Sequence, residues 1–453
     1  MNQFKDKRIL IFGLGLNQGG VGSARFFASQ GAKVRVTDLK SETILKLSLD
    51  QLKDFPDITY TLGKHKYKDI DWADLIIKNP AVKPGNPYIE YAIKNGKRVE
   101  MDMGFFLQHV KPSQIIGITG TKGKSTTASL VYEALKDADK KMVLAGNIGK
   151  SVLDIIPYIQ PNTLVVLEIS SFQLESFDAH KVSPKRAIIT NITPDHLNYY
   201  KTMGEYVASK KIISKYQTKN DFLFIRKDDP KVDHASFLKG LKAKIICFSK
   251  DDLPKDFHPK LMGEHNLENM SAALKVAKTF GLDDKSILDV LTHFKGIPFR
   301  MELIKIWHGI KIINDTTATS PEAGIQAIKT ASHMTSGNVV LICGGMNKGM
   351  DYTQYVTIVK KCVKKVFFLE GDSTEAILAS LRAQRSNSST SLRTSLPIFG
   401  PYNDLEKLLA DVKKEVKTGD IILFSPAATS FNLFQNEFDR GKKFNEAVEK
   451  LFK

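Results

Sequence analysis

The stretch Ile115-Ile-Gly-Ile-Thr-Gly-Thr-Lys-Gly-Lys-Ser-Thr-Thr127 constrains the fold of this chain more than any other. The β-branched residues Ile115, Ile116 and Ile118 lead into Gly120-Thr-Lys-Gly123-Lys124-Ser125-Thr126, and a helical spacing of Ala128, Leu130, Val131 and Leu135 follows. A strand, a glycine turn and a helix N-terminus in that order aim backbone N–H groups at a phosphate chain, and the helix dipole favours the negative charge. In this reading Lys124 reaches the β- and γ-phosphates, and the hydroxyl of Ser125 or Thr126 faces Mg²⁺. The spacing departs from the strict form, because Ile118 stands where the first glycine belongs and Gly120 lies three residues before Gly123. A plain strand–turn–helix is the competing reading.

At 453 residues the chain has room for about three domains of the usual ~150 residues. Its 42% apolar and 25% charged residues are ordinary globular values. Three widely separated cysteines (Cys247, Cys343 and Cys362) show neither metal spacing nor a disulfide framework, which points to a reducing compartment. No signal peptide or membrane span is visible, so a cytoplasmic location is expected. The net charge of +17 raises the question of nucleic acid. The basic residues are mostly scattered lysines, such as Lys136/Lys140/Lys141 and Lys210/Lys211/Lys215/Lys219, not one aromatic-interleaved stripe. A solvated surface that guides anionic substrates is the expectation, without nucleic acid or membrane insertion.

Before the phosphate loop, Arg8-Ile-Leu-Ile-Phe-Gly13-Leu-Gly15-Leu16-Asn17 opens another strand and glycine turn. A second strand, Lys33–Thr37, ends at Asp38, about where a dinucleotide fold keeps its ribose-binding acid. The turn after Gly15 is longer than G-x-G-x-x-G permits, with Gly19, Gly20 and Gly22 expected to form a roomy loop. NAD, another nucleotide or a tight turn all remain open for this motif alone. After the phosphate loop, Leu164–Ile169 reads as a buried strand that presents Glu168 at its ligand edge. Glu168 is then either a Mg²⁺ ligand or an acid capping the next helix. Arg186–Thr190 is a further strand running into Asn191-Ile-Thr-Pro-Asp195-His196, where the histidine either caps a turn or acts in a site.

Taken together, Gly120–Thr126, Gly146-Asn147-Ile-Gly149, Leu167-Glu-Ile-Ser-Ser-Phe-Gln-Leu-Glu175 and Asn191–His196 resemble the Mur ligases, the ATP-dependent amide-forming enzymes of peptidoglycan precursor synthesis. The likeness continues in Gly263-Glu-His-Asn-Leu-Glu-Asn269, Arg300, Asn314-Asp315, Gly344-Gly-Met-Asn-Lys348 and Ser425-Pro-Ala-Ala-Thr-Ser430-Phe431, and so spans nearly the whole chain in order. The glutamate-adding branch fits best, by its Gly-Leu-Gly start, its Ser-Ser-Phe-Gln-Leu-Glu string and its Ser-Pro-Ala motif. The resemblance implies an α/β chain of three domains. A Rossmann-like domain (1–110) binds the UDP substrate, a central P-loop ATPase-type parallel sheet (111–297) binds ATP, and a Rossmann-like doubly wound domain (298–453) binds the incoming amino acid and closes over ATP.

The expected substrates are UDP-N-acetylmuramoyl-L-alanine, glutamate (the D-isomer favoured, with L-glutamate or another acidic amino acid as the alternative) and ATP, acting on a monomer. A non-catalytic nucleotide-binding regulator of the same fold is the weaker alternative. Carried over residue by residue, Gly120, Thr121, Lys122, Gly123, Lys124, Ser125, Thr126, Asn269, Arg300 and Asp315 hold ATP. Leu16, Asn17, Asp38, Asn147, Ser170, Gln173 and His196 line the path of the UDP substrate. Ser125 and Glu168 serve one Mg²⁺, and His196 with Lys210, as a lysine carbamate, the other. Lys124, His196 and Lys210 form the catalytic set. For the amino acid, Thr319, Lys348, Ser430 and Phe431 match. Thr317 departs from the family's usual lysine, and Phe438 stands one residue later than the common aromatic. The Ser-rich segment Ala383–Ser395 reads as a mobile surface insertion.

Overall fold

A computed structural model describes residues 4–16, 18–136, 141–148, 150–193, 199–228, 234–261, 263–335, 338–346, 350–386, 396–430, 433–434 and 436–453. The chain divides into two compact units, Met1–Phe294 and Lys295–Lys453.

Short β-branched runs make the strands, since a parallel sheet with helices on both faces buries both sides of each strand. In the first unit, β1 (Arg8–Phe12), β2 (Lys33–Asp38), β3 (Thr59–Leu62), β4 (Leu75–Lys78) and β5 (Arg98–Glu100) pair in the order β3-β2-β1-β4-β5. All are parallel. The order reverses between β1 and β4, which opens a crevice at their carboxyl ends. The second sheet holds β6 (Ile115–Thr119), β7 (Met142–Gly146), β8 (Leu164–Glu168), β9 (Arg186–Ile189), β10 (Phe222–Arg226) and β11 (Lys244–Phe248), again parallel, in the order β11-β10-β9-β6-β8-β7. Here the order reverses about β6. The phosphate-loop stretch therefore leaves the sheet where ligands collect in open α/β folds.

These two sheets share one core. Ile11, Phe27, Val36 and Phe106 belong to the same apolar cluster as Val165, Leu167, Phe177 and Ile189. The seam is tight. A Cβ on Gly22, in the helix Gln18–Ser29, would overlap the side chain of Ser151. Beside it, Arg25 donates from Nε and Nη2 to the two oxygens of Asp154, at 3.1 and 2.6 Å. The opposite face of the second sheet packs Ile116, Ile118, Val166 and Phe224 with residues of the helices Lys124–Ala134 and Glu264–Lys278.

In the second unit, β12 (Glu302–Trp307), β13 (Ile310–Asn314), β14 (Val339–Gly344), β15 (Val363–Leu369), β16 (Ile398–Tyr402) and β17 (Ile421–Phe424) take the order β12-β13-β17-β14-β15-β16. All pairs are parallel except β12 with β13. That antiparallel edge was not legible in the sequence, because Glu-Leu-Ile-Lys-Ile-Trp is half-buried except at the exposed Ile306 and lacks a continuous apolar run. His308 and Gly309, both at positive φ, form the two-residue hairpin turn that joins them.

Two sequence expectations need correction. Gly19, Gly20 and Gly22 do not form a roomy loop but lie inside the helix Gln18–Ser29. A Cβ on Gly20 would overlap the carbonyl of Leu14, so glycine serves close approach of helix to turn. The surface insertion expected at 383–395 does not hold for residues 383–386, which the helix Asp372–Ser386 takes up. Extending a formed helix is inexpensive, and Ala, Gln and Arg favour it. Residues 387–395 lie outside the described residues.

Since Gly22 admits no side chain at the seam, Gly22→Leu is expected to destabilise the first unit by about 1–3 kcal/mol. Urea unfolding followed by far-UV circular dichroism measures this. An unchanged midpoint would show that the seam is not closed in solution.

Candidate active site

The phosphate loop has little strength of its own and is braced from two directions. Gly120 and Gly123 both sit at positive φ, and Gly123, left-handed, precedes the first turn of the helix Lys124–Ala134. A Cβ on Gly120 would overlap the Thr190 hydroxyl, and one on Gly123 would lie 2.5 Å from Asn269 Oδ1. From the segment after β9, Asn191 accepts at its backbone carbonyl from the Thr121 N–H (2.8 Å). Its side chain accepts from the Lys122 N–H (3.0 Å) and donates to the Lys122 carbonyl (2.9 Å). The Thr190 hydroxyl donates to that carbonyl too, at 2.6 Å. Thr121 is fixed further, accepting from the Thr193 N–H at 3.0 Å and lying 3.1 Å from the Tyr206 hydroxyl. The Lys124 ammonium folds over the loop and donates to the carbonyls of Gly120 and Thr121, at 3.1 and 2.9 Å. Ser125 is buried on the first helical turn and Thr126 is half-buried beside it, while Lys122 is exposed.

One strand across, Ile118 of β6 pairs with Glu168 of β8. Glu168 is 1% exposed. Its Oε1 accepts from Asn147 Nδ2 at 3.4 Å, and its Oε2 has no hydrogen-bond partner among the described residues. A buried carboxylate oxygen left so is costly, and a hard cation satisfies it. The donors present, a carboxylate and the Ser125 hydroxyl, suit Mg²⁺, which binds few protein oxygens and keeps several waters. Among the described residues no three His, Cys, Asp or Glu side chains gather into a metal cage. Beyond β8, the Ser170 N–H and hydroxyl both donate to Gln173 Oε1, at 2.9 and 3.0 Å, so these two residues shape one turn. Lys210 is 1% exposed on the helix Met203–Lys215, with its ammonium 4.6 Å from the ring of Tyr206. Tyr206 lies one turn earlier on the same helix face and meets Thr121, which ties Lys210 to the phosphate loop. His196 lies outside the described residues.

At the first sheet's crevice, Asp38 has work apart from any ligand. Its buried carboxylate accepts from the backbone N–H groups of Gly15 and Lys40, each at 2.9 Å, and so clamps the turn after β1. Leu16, 36% exposed, stands at the lip of that turn. Asn17 lies outside the described residues.

In the second unit, Asp315 leaves β13 fully enclosed. Its N–H donates to the Phe424 carbonyl (2.7 Å), and its carboxyl accepts from the Met301 N–H (3.1 Å) and the Ser425 hydroxyl (2.8 Å). Burial pushes that carboxyl up to about 7, against the downward pull of these two donors and of Arg300 and Arg440. Arg300 is exposed and Thr319 is half-buried. Ser430 is buried, its hydroxyl without a partner among the described residues. At the departing position, the Thr317 hydroxyl donates to the Phe299 carbonyl at 2.9 Å. Phe438 is exposed. Lys348 and Phe431 lie outside the described residues.

Sequence reasoning missed the bracing role of Thr190 and Asn191, although both stand in or beside the Asn191–His196 string, and the Thr121–Tyr206 contact. It also missed Arg440, whose signal was only a lone arginine in a charged helix.

Models of known families match three segments: a Mur ligase MurD-like N-terminal domain over residues 7–100, a Mur ligase middle domain over 118–260, and a Mur ligase glutamate ligase domain over 299–428. The UDP-N-acetylmuramoylalanine--D-glutamate ligase of Roseiflexus sp. is 34% identical over 99% of both chains. Its counterpart from Borreliella burgdorferi is 36% identical, covering 100% of this chain and 99% of the other, and that from Clostridioides difficile is 33% identical over 99% of each. Among solved structures, a UDP-N-acetylmuramate-alanine ligase from Thermotoga maritima shares the fold with a TM-score of 0.57 at 20% identity, over 98% of this chain and 99% of that one. A MurF ligase from the same organism, in complex with ADP, gives 0.54 at 17% identity, over 99% and 96%.

Because Gly123 is left-handed and abuts Asn269, Gly123→Ala is expected to cost about 1–3 kcal/mol of stability. It should also weaken ADP binding by about tenfold or more, equivalent to ~1.4 kcal/mol. Thermal melts and calorimetric titration with ADP measure the two effects. Unchanged ADP affinity would show that this turn does not cradle phosphate.

Proposed function

The chain belongs to the Mur ligase family, and on that premise we propose that it joins D-glutamate to UDP-N-acetylmuramoyl-L-alanine in an ATP-driven step of peptidoglycan precursor synthesis. The observation that carries this reading is the likeness, over 99% of the chain or more, to relatives named as D-glutamate ligases. In this reading residues 1–110 bind the UDP substrate, 111–297 bind ATP, and 298–453 bind the amino acid. The enzyme acts as a cytoplasmic monomer. Among the described residues no helix is long and apolar enough to cross a membrane.

The chemistry follows from the groups. A carboxylate is a poor electrophile, so its oxygen first attacks the γ-phosphorus of ATP. The bond to the bridging oxygen breaks, ADP leaves, and an acyl phosphate forms. The neutral amine of glutamate then attacks the carbonyl carbon, inorganic phosphate departs with the C–O bonding pair, and the amine gives up a proton as the amide forms. The chain's residues chiefly position and neutralise charge. The loop from Gly120 to Thr126 receives the phosphates, and Lys124 exchanges its two carbonyl contacts for phosphate oxygens. Asn269, Arg300 and Asp315 contact the nucleotide. Ser125 and Glu168 would hold one Mg²⁺, and His196 with Lys210 a second; when bound, these ions would offset charge on the triphosphate and the acceptor carboxylate. Leu16, Asn17, Asp38, Asn147, Ser170, Gln173 and His196 follow the UDP substrate. Thr319, Lys348, Ser430 and Phe431 receive glutamate.

Lys210 acts as a carbamate in this proposal. Its neutral amine adds to CO₂ with loss of a proton, which turns a buried cation into an anion with two oxygen donors. An ammonium beside a divalent cation is repelled, so the modification resolves that conflict. A second acceptor, L-glutamate or another acidic amino acid, is favoured by one observation: Thr317 offers a hydroxyl already committed to Phe299, where the family's lysine offers a charge.

Phosphate release from ATP with UDP-N-acetylmuramoyl-L-alanine and a panel of amino acids tests the function. D-glutamate should give the highest kcat/KM, and an L-glutamyl product on chiral analysis would overturn the isomer assignment. Lys124→Ala should lower turnover by about 10²–10³-fold in a folded protein. Lys210→Ala should be inactive and partly rescued by short carboxylates; full activity without additive would dismiss the carbamate.

A further inference from the structure

The strongest unexplained group in the second unit is Arg440, in the helix Glu437–Leu451. It is 0% exposed, and no carboxylate among the described residues forms an ion pair with it. Burial pulls its guanidinium down to about 9, partly opposed by Glu437 and Asp315. A buried arginine without an ion-pair partner is expensive to maintain, which makes its hydrogen bonds informative. Nε donates to the Thr316 hydroxyl (2.8 Å), Nη2 to the Thr316 carbonyl (2.8 Å) and Nη1 to the Ala428 carbonyl (3.1 Å). One planar fork thus joins the segments that leave two paired parallel strands, β13 and β17. The helix is pressed against the same place: a Cβ on Gly441 would lie 2.6 Å from Thr316 Cγ2. Asn314 Nδ2 adds bonds to the Gly441 carbonyl and to Asn445 Oδ1, at 3.0 and 2.7 Å. Beyond the clamp, one segment runs on to Thr319 and the other, which reaches Ala428 through Ala427 at a positive φ of 54°, to Ser430. Asp315 has its hydrogen bonds elsewhere, accepting from Ser425 and Met301 and donating to Phe424, and meets Arg440 only through its charge.

We propose that Arg440 is a positioning residue for the incoming amino acid: its fork sets the spacing of the segments bearing Thr319 and Ser430, and its buried charge supplies positive potential that Thr317 does not. The inference rests on the function proposed above and adds a residue outside the family's motif positions carried over from the sequence. A buried cation without an ion-pair contact contributes positive potential that favours a dianionic acceptor without touching it. Because Asp315 has its own supports, loss of the fork should act on glutamate and spare the nucleotide.

Arg440→Lys keeps the charge and loses the fork, while Arg440→Gln loses both. In the full-length enzyme each is expected to raise the KM for D-glutamate by about tenfold or more, Gln more than Lys, as for loss of a charge-assisted hydrogen bond. The KM for ATP should stay within about twofold, a split that a general loss of folding does not produce. Equal rises in both KM values, or unchanged values in folded variants, would overturn the proposal. Should neither variant fold, Thr316→Val, which removes the acceptor for Nε together with the hydroxyl's bond to the Glu437 carbonyl and keeps the other two fork bonds, decides alone: a higher glutamate KM supports the clamp, and an unchanged one overturns it. Wild-type enzyme that forms no product with D-glutamate would overturn the functional reading and this inference with it. An active wild type with indifferent variants overturns the inference alone.

Discussion

The first unit depends on one constraint: the turn from Gly120 to Gly123, with both glycines at positive φ, has to be held in shape from outside. An isolated turn of this kind would satisfy its donors internally or collapse. Here the Lys122 carbonyl takes two donors, from Thr190 and Asn191, and the Lys122 N–H is held by the same asparagine. Thr121 is tied to Thr193 and Tyr206, and Gly123 leans on Asn269. The loop is therefore an extension of the sheet and of a distant helix. Its geometry is held by β9 and by Glu264–Lys278 without a bound ligand. That is preorganisation in structural form.

Glu168 and Lys210 follow from the same frame. The pairing of Ile118 with Glu168 sets the carboxylate one strand from the loop, and Tyr206 sets Lys210 one helical turn from Thr121. Both groups are buried while formally ionisable, a combination that stability alone does not favour. The orphaned Glu168 oxygen and the enclosed Lys210 amine are two of the places where the first unit accepts such a cost, beside Asp69, Asp102 and Glu268. In the second unit the cost falls on Asp315 and Arg440, both pushed towards their neutral forms by burial. Natural cores tolerate such groups chiefly where ligands are handled.

The turn after β1 shows an acid with a structural role of its own. Asp38 sits where a ribose-binding acid is looked for, yet one of its oxygens accepts from Gly15 in the turn after β1 and the other from Lys40 in its own turn. Any contact with the UDP substrate has to be made within that clamp. The glycines at 19, 20 and 22 likewise serve the packing of a helix against Leu14 and Ser151, not an open loop.

The sequence by itself determined the strand–loop–helix order at Ile115–Leu135, the acid at the end of Leu164–Glu168, the doubly wound sheets and the family. Each depends on local apolar runs, glycine chemistry or ordered motifs, which a linear chain displays directly. Tertiary structure alone decided which partners those residues have. Asn191 meets Lys122, Tyr206 meets Thr121, and Arg440 meets Thr316 and Ala428 across separations of 69, 85, 124 and 12 residues. No local pattern encodes these pairings. The antiparallel β12 and the helical reach through residue 386 were hidden for a related reason, since edge strands and extended helices lean on neighbours more than on their own periodicity. Shared burial between the first two sheets, through Ile11, Phe27, Val165 and Leu167, joined what composition and motif order divide. Motifs name the chemistry, but only packing orients it, because burial and hydrogen-bond geometry are properties of the folded neighbourhood and not of the residue.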